Sequence, residues 1–505
     1  MRIMHAMRMA TTAMAAVPIV IQGGMGAGVS DWRLARAVSA AGQLGVVSGT
    51  ALDVILARRL QAGDPGGHCR RALAAFPVPG VAGRIVGQYF IDGGKPPAVP
   101  FKSKPLPSEN PSRAAEELLV AANFVEVWLA REGHANAVGI NYLEKVQAPT
   151  LASLYGAMLA GVGVVLMGAG IPRAIPGVLD RLAAGEAVEL PLDVQGAVPD
   201  ERFVTRFDPS AFWPEGGGRP LERPRFYAIV SSAVLAGVLA KKASGRVDGF
   251  VVEGPKAGGH NAPPRGAMQL TAEGEPVYGT RDEADLDAIR ALGLPFWLAG
   301  TFGRPERVVE ALAQGAAGVQ VGTAFAYCEE SGLAADLKRD VLAMSRAGTA
   351  RVFTDPVASP TGFPFKVVPI PGTLADPAVR EQGGARQRVC DLGYLRHAYR
   401  KPDGGMGWRC PAEPVETFTA AGGRAEQAAD RVCLCNALMA NIALGQVRTT
   451  ADGPEAERPL VTSGDDVATV ARFLKEGAAT YTAADVLATL LRDVPLERYA
   501  ASTPT

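Results

Sequence analysis

Eight short apolar runs, seven of them ending at a small residue, decide most of what this chain can fold into. They are VPIVIQG (17–23), LGVVSG (44–49), AVGINYL (137–143), VGVVLMGAG (162–170), FYAIVS (226–231), VDGFVVEG (247–254), FWLAG (296–300) and GVQVG (318–322). They are apolar at nearly every position rather than at alternate ones, the pattern of parallel strands covered on both faces. Helical patterns lie between them. Asp31–Ala41 follows the first run, with Ser30 or Asp31 available as its cap. Leu151–Ala160 precedes the fourth, Ser232–Lys242 follows the fifth and Asp282–Ala291 precedes the seventh. Pro305–Gln314 follows the seventh, with proline near its start. Eight such units over roughly 310 residues predict an α/β chain folded as a (β/α)8 TIM barrel with insertions.

The barrel is assigned to 17–330, with insertions near 92–132 and 207–224. The first insertion opens on a Pro- and Lys-rich loop, Asp92–Glu109, leading to a predicted helix Ala114–Arg131. Residues 1–16 read as a disordered start, because their apolar stretch is too weak for a signal peptide. Residues 331–450 form a C-terminal extension and 451–505 a helical tail. Within these, Glu329–Met344 and Val470–Leu491 are predicted helices, and FKVVPI in the Pro- and Gly-rich stretch Val352–Pro371 is strand-like. The 51 basic and 51 acidic side chains balance, which argues against nucleic acid or an anionic membrane held by bulk charge. No apolar run is long enough to span a bilayer. Six cysteines in 505 residues do not make a secreted disulfide framework, so a reducing cytoplasm is the expected compartment.

In such a barrel, ligands bind at the C-terminal ends of the strands. Glycines gather there: Gly23-Gly24-Met25-Gly26, Gly168-Ala169-Gly170, Ala257-Gly258-Gly259-His260, Gly300 and Gly322-Thr323. One such cluster is what a tight turn needs; five on one rim predict a wide, flat ligand against bare backbone. A Rossmann turn is excluded, because its third small residue falls on Val29 or Asp31 in the two available frames. The ends of the last two runs, LAGTFGRPERV and GVQVGTAF, suit a phosphate cradle built from N–H groups of Gly300, Gly322 and Thr323 and the Thr323 hydroxyl. A phosphate there and a flat ring crossing toward the first strand fit flavin mononucleotide (FMN). His260, beside two glycines, is the candidate proton-transfer group. His68, His134 and His397 have no comparable setting and are read as structural.

PIVIQGGMG, GINYL, VVEGPKAGGH, LAGT and GVQVGTAF occur in that order and together resemble the nitronate monooxygenase (2-nitropropane dioxygenase-like) family, over about Val17 to Tyr327. Flavin-dependent enoyl reductases share that family's fold. The resemblance implies an FMN barrel in which Gly24, Met25 and Gly26 lie against the isoalloxazine. It further implies cofactor contacts from Asn141, Glu253, Gly258, Gly259, Gly300, Gln320, Gly322 and Thr323, and a base role for His260. The chain departs from the family at Glu253, at Lys256 and at Asn261-Ala262-Pro263-Pro264-Arg265-Gly266, where the family often reads Gln, then Glu-Ala-Gly-Gly-His-Arg-Gly. Lys256 is either part of an altered substrate wall or a solvated surface charge. Thr354–Phe365 resembles the stretch that closes over the flavin in relatives, bringing Ser359 and Thr361 to cofactor or substrate; the alternative is a Pro-rich connector.

Cys390, Cys410, Cys433 and Cys435 stand outside the resemblance. A zinc or iron–sulfur site, buried thiols without a role, and a disulfide all remain open. The functional expectation is an FMN-dependent oxidoreductase, first a nitronate monooxygenase-like oxidation of nitroalkane or nitronate by O2. An NAD(P)H-dependent enoyl or quinone reductase is second, and a flavin-binding accessory subunit third. The expected partners are a small-molecule substrate and O2, with a homodimer or a synthase as protein partner.

Overall fold

The computed structural model describes residues 17–214, 219–381, 388–450 and 453–495; the expected disordered start, 1–16, lies outside the described residues. All eight apolar runs are parallel strands: β1 (Val20–Gln22), β2 (Gly45–Ser48), β3 (Val138–Leu143), β4 (Val164–Gly168), β5 (Arg225–Val230), β6 (Gly249–Glu253), β7 (Phe296–Ala299) and β8 (Gly318–Val321). Their order is β1-β8-β7-β6-β5-β4-β3-β2. A bridge between Ile21 and Leu44 joins the two ends, so the sheet closes as a (β/α)8 barrel. Gln22 N donates to Leu44 O at 2.9 Å and Leu44 N to Val20 O at 3.1 Å across that seam. Closure removes both sheet edges. Ile21, Val46, Leu166, Tyr227, Val251 and Trp297 fill the interior, with Trp297 Nε1 donating to Pro18 O at 2.8 Å.

The helices follow the periodic stretches within a residue or two at Trp32–Ala40, Arg113–Ala130, Thr150–Leu159, Ala233–Lys242 and Pro305–Ala313. Asp31 is the cap of the first, accepting from Arg33 N and Leu34 N; the Ser30 hydroxyl serves the glycine loop instead. Three expectations are corrected. The pattern at Asp282–Ala291 begins as a helix only at Leu286, because the Asp285 carboxylate takes Ala288 N and starts it there. That at Glu329–Met344 begins at Ala335, because Gly332 N and Ala334 N are already given to Val29 O and Asn441 O. The tail is split into 3-10 turns at Asp465–Phe473 and a helix Ala483–Leu491 opened by a Thr482–Asp485 capping box. The sequence reading also missed Leu52–Gln61, whose residues are nearly all buried and show no polar face.

The chain after β8 is laid across the C-terminal ends of the barrel strands. Phe353–Asp355 and Phe365–Val367 form an antiparallel pair. A hairpin, His397–Arg400 with Met406–Arg409, pairs with Val194–Gln195 from the insertion before β5. The segment 461–466 is stitched to the β6 loop: Gly259 N donates to Thr462 Oγ1 at 3.0 Å and Asp465 N to Lys256 O at 3.3 Å. Lys366 Nζ and Asp465 form an ion pair at 2.6 Å. Farther out, Tyr394 donates to Asp53, which also meets Lys104 Nζ at 2.7 Å. No helix among the described residues is long and apolar enough to cross a membrane.

Candidate functional site

A cavity of about 470 Å³ opens at the C-terminal mouth of the barrel. The glycine loop after β1 forms one side. Its shape is held by Ser30, whose hydroxyl donates to Gly23 O at 2.9 Å and accepts from Met25 N at 2.9 Å. Gly24 packs so tightly on Asn141 at the end of β3 that a Cβ would lie 2.4 Å from the Asn141 Cβ. Asn141 Nδ2 donates to Gly24 O at 3.4 Å, and its buried Oδ1 has no partner among the described residues. Gly26 has φ +59°, and Gly322 sits with its Cβ position 3.3 Å from Met25 Sδ. Gln320 packs under Gly23. The barrel thus brings residues from β1, β3 and β8 to one wall, as expected from the sequence.

The opposite side is built by β6, β7 and the distant C-terminal segment. Gly300 (φ +99°) and Thr301 (φ +59°) turn the chain after β7. Thr323 Oγ1 accepts Gly464 N at 3.0 Å, which leaves its own proton to donate. Sequence reasoning gave Gly258 to the cofactor. The structure shows a different demand on it: a Cβ there would lie 2.7 Å from the backbone of Ser463 and Gly464. Gly259 (φ +83°) has open space beside it. Thr462, Ser463 and Gly464 were not foreseen; they lie more than 130 residues from any rim motif and carry no local signature.

His260 is half-buried on this wall, its ring 4.7 Å from that of Phe365. Its Nε2 is 2.7 Å from Ser359 Oγ, and Ser359 Oγ is 2.8 Å from Thr361 Oγ1. In the stretch Thr354–Phe365, Phe363 and Phe365 border the cavity, while Ser359 is buried behind His260 and Thr361 faces a neighbouring cleft. Burial, and then the nearby Lys145 ammonium, push the His260 pKa down to about 3, so the imidazole is neutral near pH 7. Lys145 was also not foreseen. Its Nζ lies 3.6 Å over the Phe363 ring with no hydrogen-bond partner among the described residues. Burial draws its pKa down to about 8, against the opposing pull of Glu144. Lys256 is exposed at the cavity edge. Of the other histidines, His134 bonds Ala130 O, His68 stacks beside Trp32, and His397 bonds Pro360 O.

Glu253, at the end of β6, has its pKa raised to about 7 by burial. The folded protein therefore holds a proton between the unfolded carboxyl's value and about pH 7. That contribution is complete at low pH and is lost as pH rises through 7, at a cost of up to about 3 kcal/mol by pH 8. Glu253→Gln removes the charge and keeps the shape. The variant apoprotein will melt higher than wild type at pH 8 and within error of it near pH 4, below the unfolded carboxyl's value. An equal shift at both pH values would show a solvated carboxyl.

Cys390, Cys410, Cys433 and Cys435 all border one small cavity of about 10 Å³. The structure records them as thiols, and burial raises Cys390 to about 11. No set of three or more His, Cys, Asp or Glu side chains stands in a metal-holding arrangement among the described residues. Cys435 also borders the large cavity, so this cluster buttresses its wall.

The residues at the mouth fit FMN. The volume is in the range of cofactor clefts. Asn141 Oδ1 and Asn441 Oδ1 are buried at its wall without partners among the described residues, and such atoms ask for a donor from a ligand.

Residues 225–358 match the family model of nitronate monooxygenase. This stretch holds β5 to β8, His260 and Ser359, and it marks the chain as an enzyme, a flavin-dependent oxidoreductase in general terms. Solved structures similar over nearly the whole chain include FabK from Thermotoga maritima (15% identity, 96% of this chain and 95% of that one, TM-score 0.48). Others are a nitroalkane oxidase from Streptomyces ansochromogenes (16%, 97% and 99%, 0.47) and the enoyl reductase domain of MlnA from Bacillus amyloliquefaciens (11%, 95% and 97%, 0.45). No curated protein matches the chain.

Proposed function

We propose that this chain, with its nitronate monooxygenase signature over 225–358, binds FMN at the barrel mouth and uses His260 as the base toward a nitroalkane or as the receiver of its nitronate. The observation that carries the reading is the placement of His260: it borders the barrel-mouth cavity with its Nε2 held 2.7 Å from Ser359 Oγ. Ser359 and Thr361 orient it. With Ser359 Oγ accepting the Nε2 proton, Nδ1 is left as the basic atom. A nitroalkane Cα–H proton passes to Nδ1, and the cation so formed is shared with the Ser359 hydroxyl. Gly24, Met25 and Gly26 seat the flat ring, and Gly300, Gly322 and Thr323 hold its phosphate. Bound FMN supplies the electron-accepting chemistry, with O2 as the final acceptor.

Anaerobic mixing tests this. The yellow protein will bleach with propionate-3-nitronate or 2-nitropropane and regain colour in air. A second reading, NAD(P)H-driven reduction of an enoyl thioester or quinone, is favoured by the Arg396, Arg409 and Arg431 side chains that border a cleft beside the mouth. Bleaching by NADPH or NADH and not by either nitro compound would put it in place of the first. A stable protein partner with no bleaching by any donor would instead support an accessory subunit.

A further inference from the structure

Two cavities meet near His260, and a pair of hydroxyls joins them. His260 borders the barrel mouth. Thr361 borders a second cleft, of about 670 Å³, that opens beside it. Between them lies Ser359, which is fully buried. Its Oγ stands 2.7 Å from His260 Nε2 and 2.8 Å from Thr361 Oγ1. Phe363 and Leu395 border both cavities and make an apolar partition, so the hydroxyl pair is a polar link across it. The backbone holds this link in place. Asn261 N donates to Pro364 O and Lys366 N to Gly259 O, both at 3.0 Å, which ties the chain on either side of His260 to the chain after Thr361. Arg431 Nη1 donates to Val357 O and to Ser359 O, both at 2.6 Å.

A hydroxyl gives one hydrogen and can accept two. On each of these oxygens a fixed backbone donor takes one accepting position. Thr361 N donates to Ser359 Oγ at 3.2 Å, and Phe363 N to Thr361 Oγ1 at 3.4 Å. What remains on each oxygen is one hydrogen to give and one to receive. The chain therefore has two complete polarities. In one, Nε2–H points to Ser359, the Ser359 hydrogen to Thr361, and the Thr361 hydrogen to the cleft. In the other, every hydrogen points back toward a bare Nε2. Passing one proton along the chain turns the first polarity into the second and leaves no buried group unpaired. Burial that keeps the imidazole neutral also makes a lasting cation costly there, so a proton gained at Nδ1 calls for one lost at Nε2.

We propose that Ser359 and Thr361 are a proton relay that carries the hydrogen displaced from His260 out of the barrel mouth and into the neighbouring cleft. This rests on the base reading of His260 and gives the two hydroxyls a task beyond orienting the ring. The Cα–H bond of the nitroalkane breaks and Nδ1–H forms, while the electron pair stays on the substrate as its nitronate. Nε2 then gives its hydrogen to Ser359 Oγ, Ser359 gives its own to Thr361 Oγ1, and Thr361 gives its own to water in the cleft. The imidazole ends neutral. When O2 is reduced in the mouth it takes the Nδ1 proton, and a proton from cleft water returns by the reverse shift. Nδ1 is then bare for the next substrate.

The test uses the FMN-loaded protein and anaerobic stopped-flow bleaching. Thr361→Val and Ser359→Ala will each slow bleaching by 2-nitropropane about 10- to 100-fold, and will change bleaching by its preformed nitronate less than about twofold. Thr361→Ser, which keeps the hydroxyl, will recover most of the rate. In the unmodified protein the rate with 2-nitropropane will fall along a bowed curve as D2O replaces H2O, because several exchangeable hydrogens move together. That measurement needs no variant to fold. A straight line, or Thr361→Val reacting at the unmodified rate, overturns the proposal. A second readout needs no turnover. In Thr361→Val the Ser359 hydrogen loses its acceptor at position 361 and turns to Nε2, which drives the ring to its Nδ1–H form. Nitrogen NMR of histidine-labelled protein, with His260→Asn assigning the signal, will show that change of tautomer. An unchanged tautomer overturns the proposal whatever the substrate proves to be. A protein bleached by neither nitro compound overturns the nitroalkane reading instead, and the tautomer then decides the relay alone.

Discussion

Replacing His260 by Asn will slow reaction with a neutral nitroalkane by about 10²- to 10⁴-fold, while the preformed nitronate loses far less. The asymmetry follows from the chemistry. A neutral nitroalkane must give up its Cα–H proton, and the anion has already done so. Asn keeps a polar group of similar reach toward Ser359 but has no basic nitrogen. Stopped-flow reduction with each substrate measures the two losses; equal losses would remove the base role. The pH profile is a second readout. An ordinary histidine would protonate near 6.5 and lose activity below it. With its pKa pushed down to about 3, His260 stays neutral well below that, so kcat/KM for nitroalkane will stay flat from pH 8 to about 5. Lys145→Met removes the second cause of the depression and will move the acid limb upward. Stability runs the other way. The unfolded chain takes up a proton at His260 near pH 6.5 and the folded chain does not, so folding weakens as pH falls from 6.5 toward 3.

Gly258→Ala will weaken FMN binding about 5- to 150-fold and lower the melting temperature, because of what lies behind the glycine. Its added Cβ would stand 2.7 Å from Ser463 C and Gly464 N. Those are backbone atoms, which cannot swing aside as a side-chain tip can. The segment 461–466 must lift, at about 1–3 kcal/mol for such overpacking. Lifting it breaks the Gly464 N bond to Thr323 and the Thr462 bond to Gly259, so the wall opposite the glycine loop opens. Gly259→Ala is the control. Nothing lies within 4 Å of its Cβ position, and the cost is only that of a left-handed alanine, about 1 kcal/mol. Fluorescence of released flavin and thermal melts of both variants give the comparison. Matching losses in the two would show that the C-terminal segment does not seal the site.

The glycine loop shows how much was legible beforehand. Four glycines in Gly23–Gly28 announce backbone close to something, and the structure finds Asn141 there. Asn141 was itself named beforehand, through the resemblance that GINYL bears to the nitronate monooxygenase family. Gly258 looked like another member of the same set. It borders the cavity, and a further demand falls on it from Ser463, more than 200 residues away. Lys145 gave no local signal at all. A lysine after a strand is ordinary; its burial over Phe363 and its effect on His260 exist only once the 360s loop is folded across it.

By itself the amino-acid order determined the barrel, its eight strands, the mouth at which ligands sit and the histidine placed there. Each of these depends on local periodicity and on the geometry that strand–helix alternation imposes. Only the tertiary structure decided the state of that histidine, the C-terminal segment laid over the mouth and the gathering of four cysteines. These depend on distances between segments remote in sequence. Burial and Coulomb interaction act through space, and neither leaves a periodic trace along the chain.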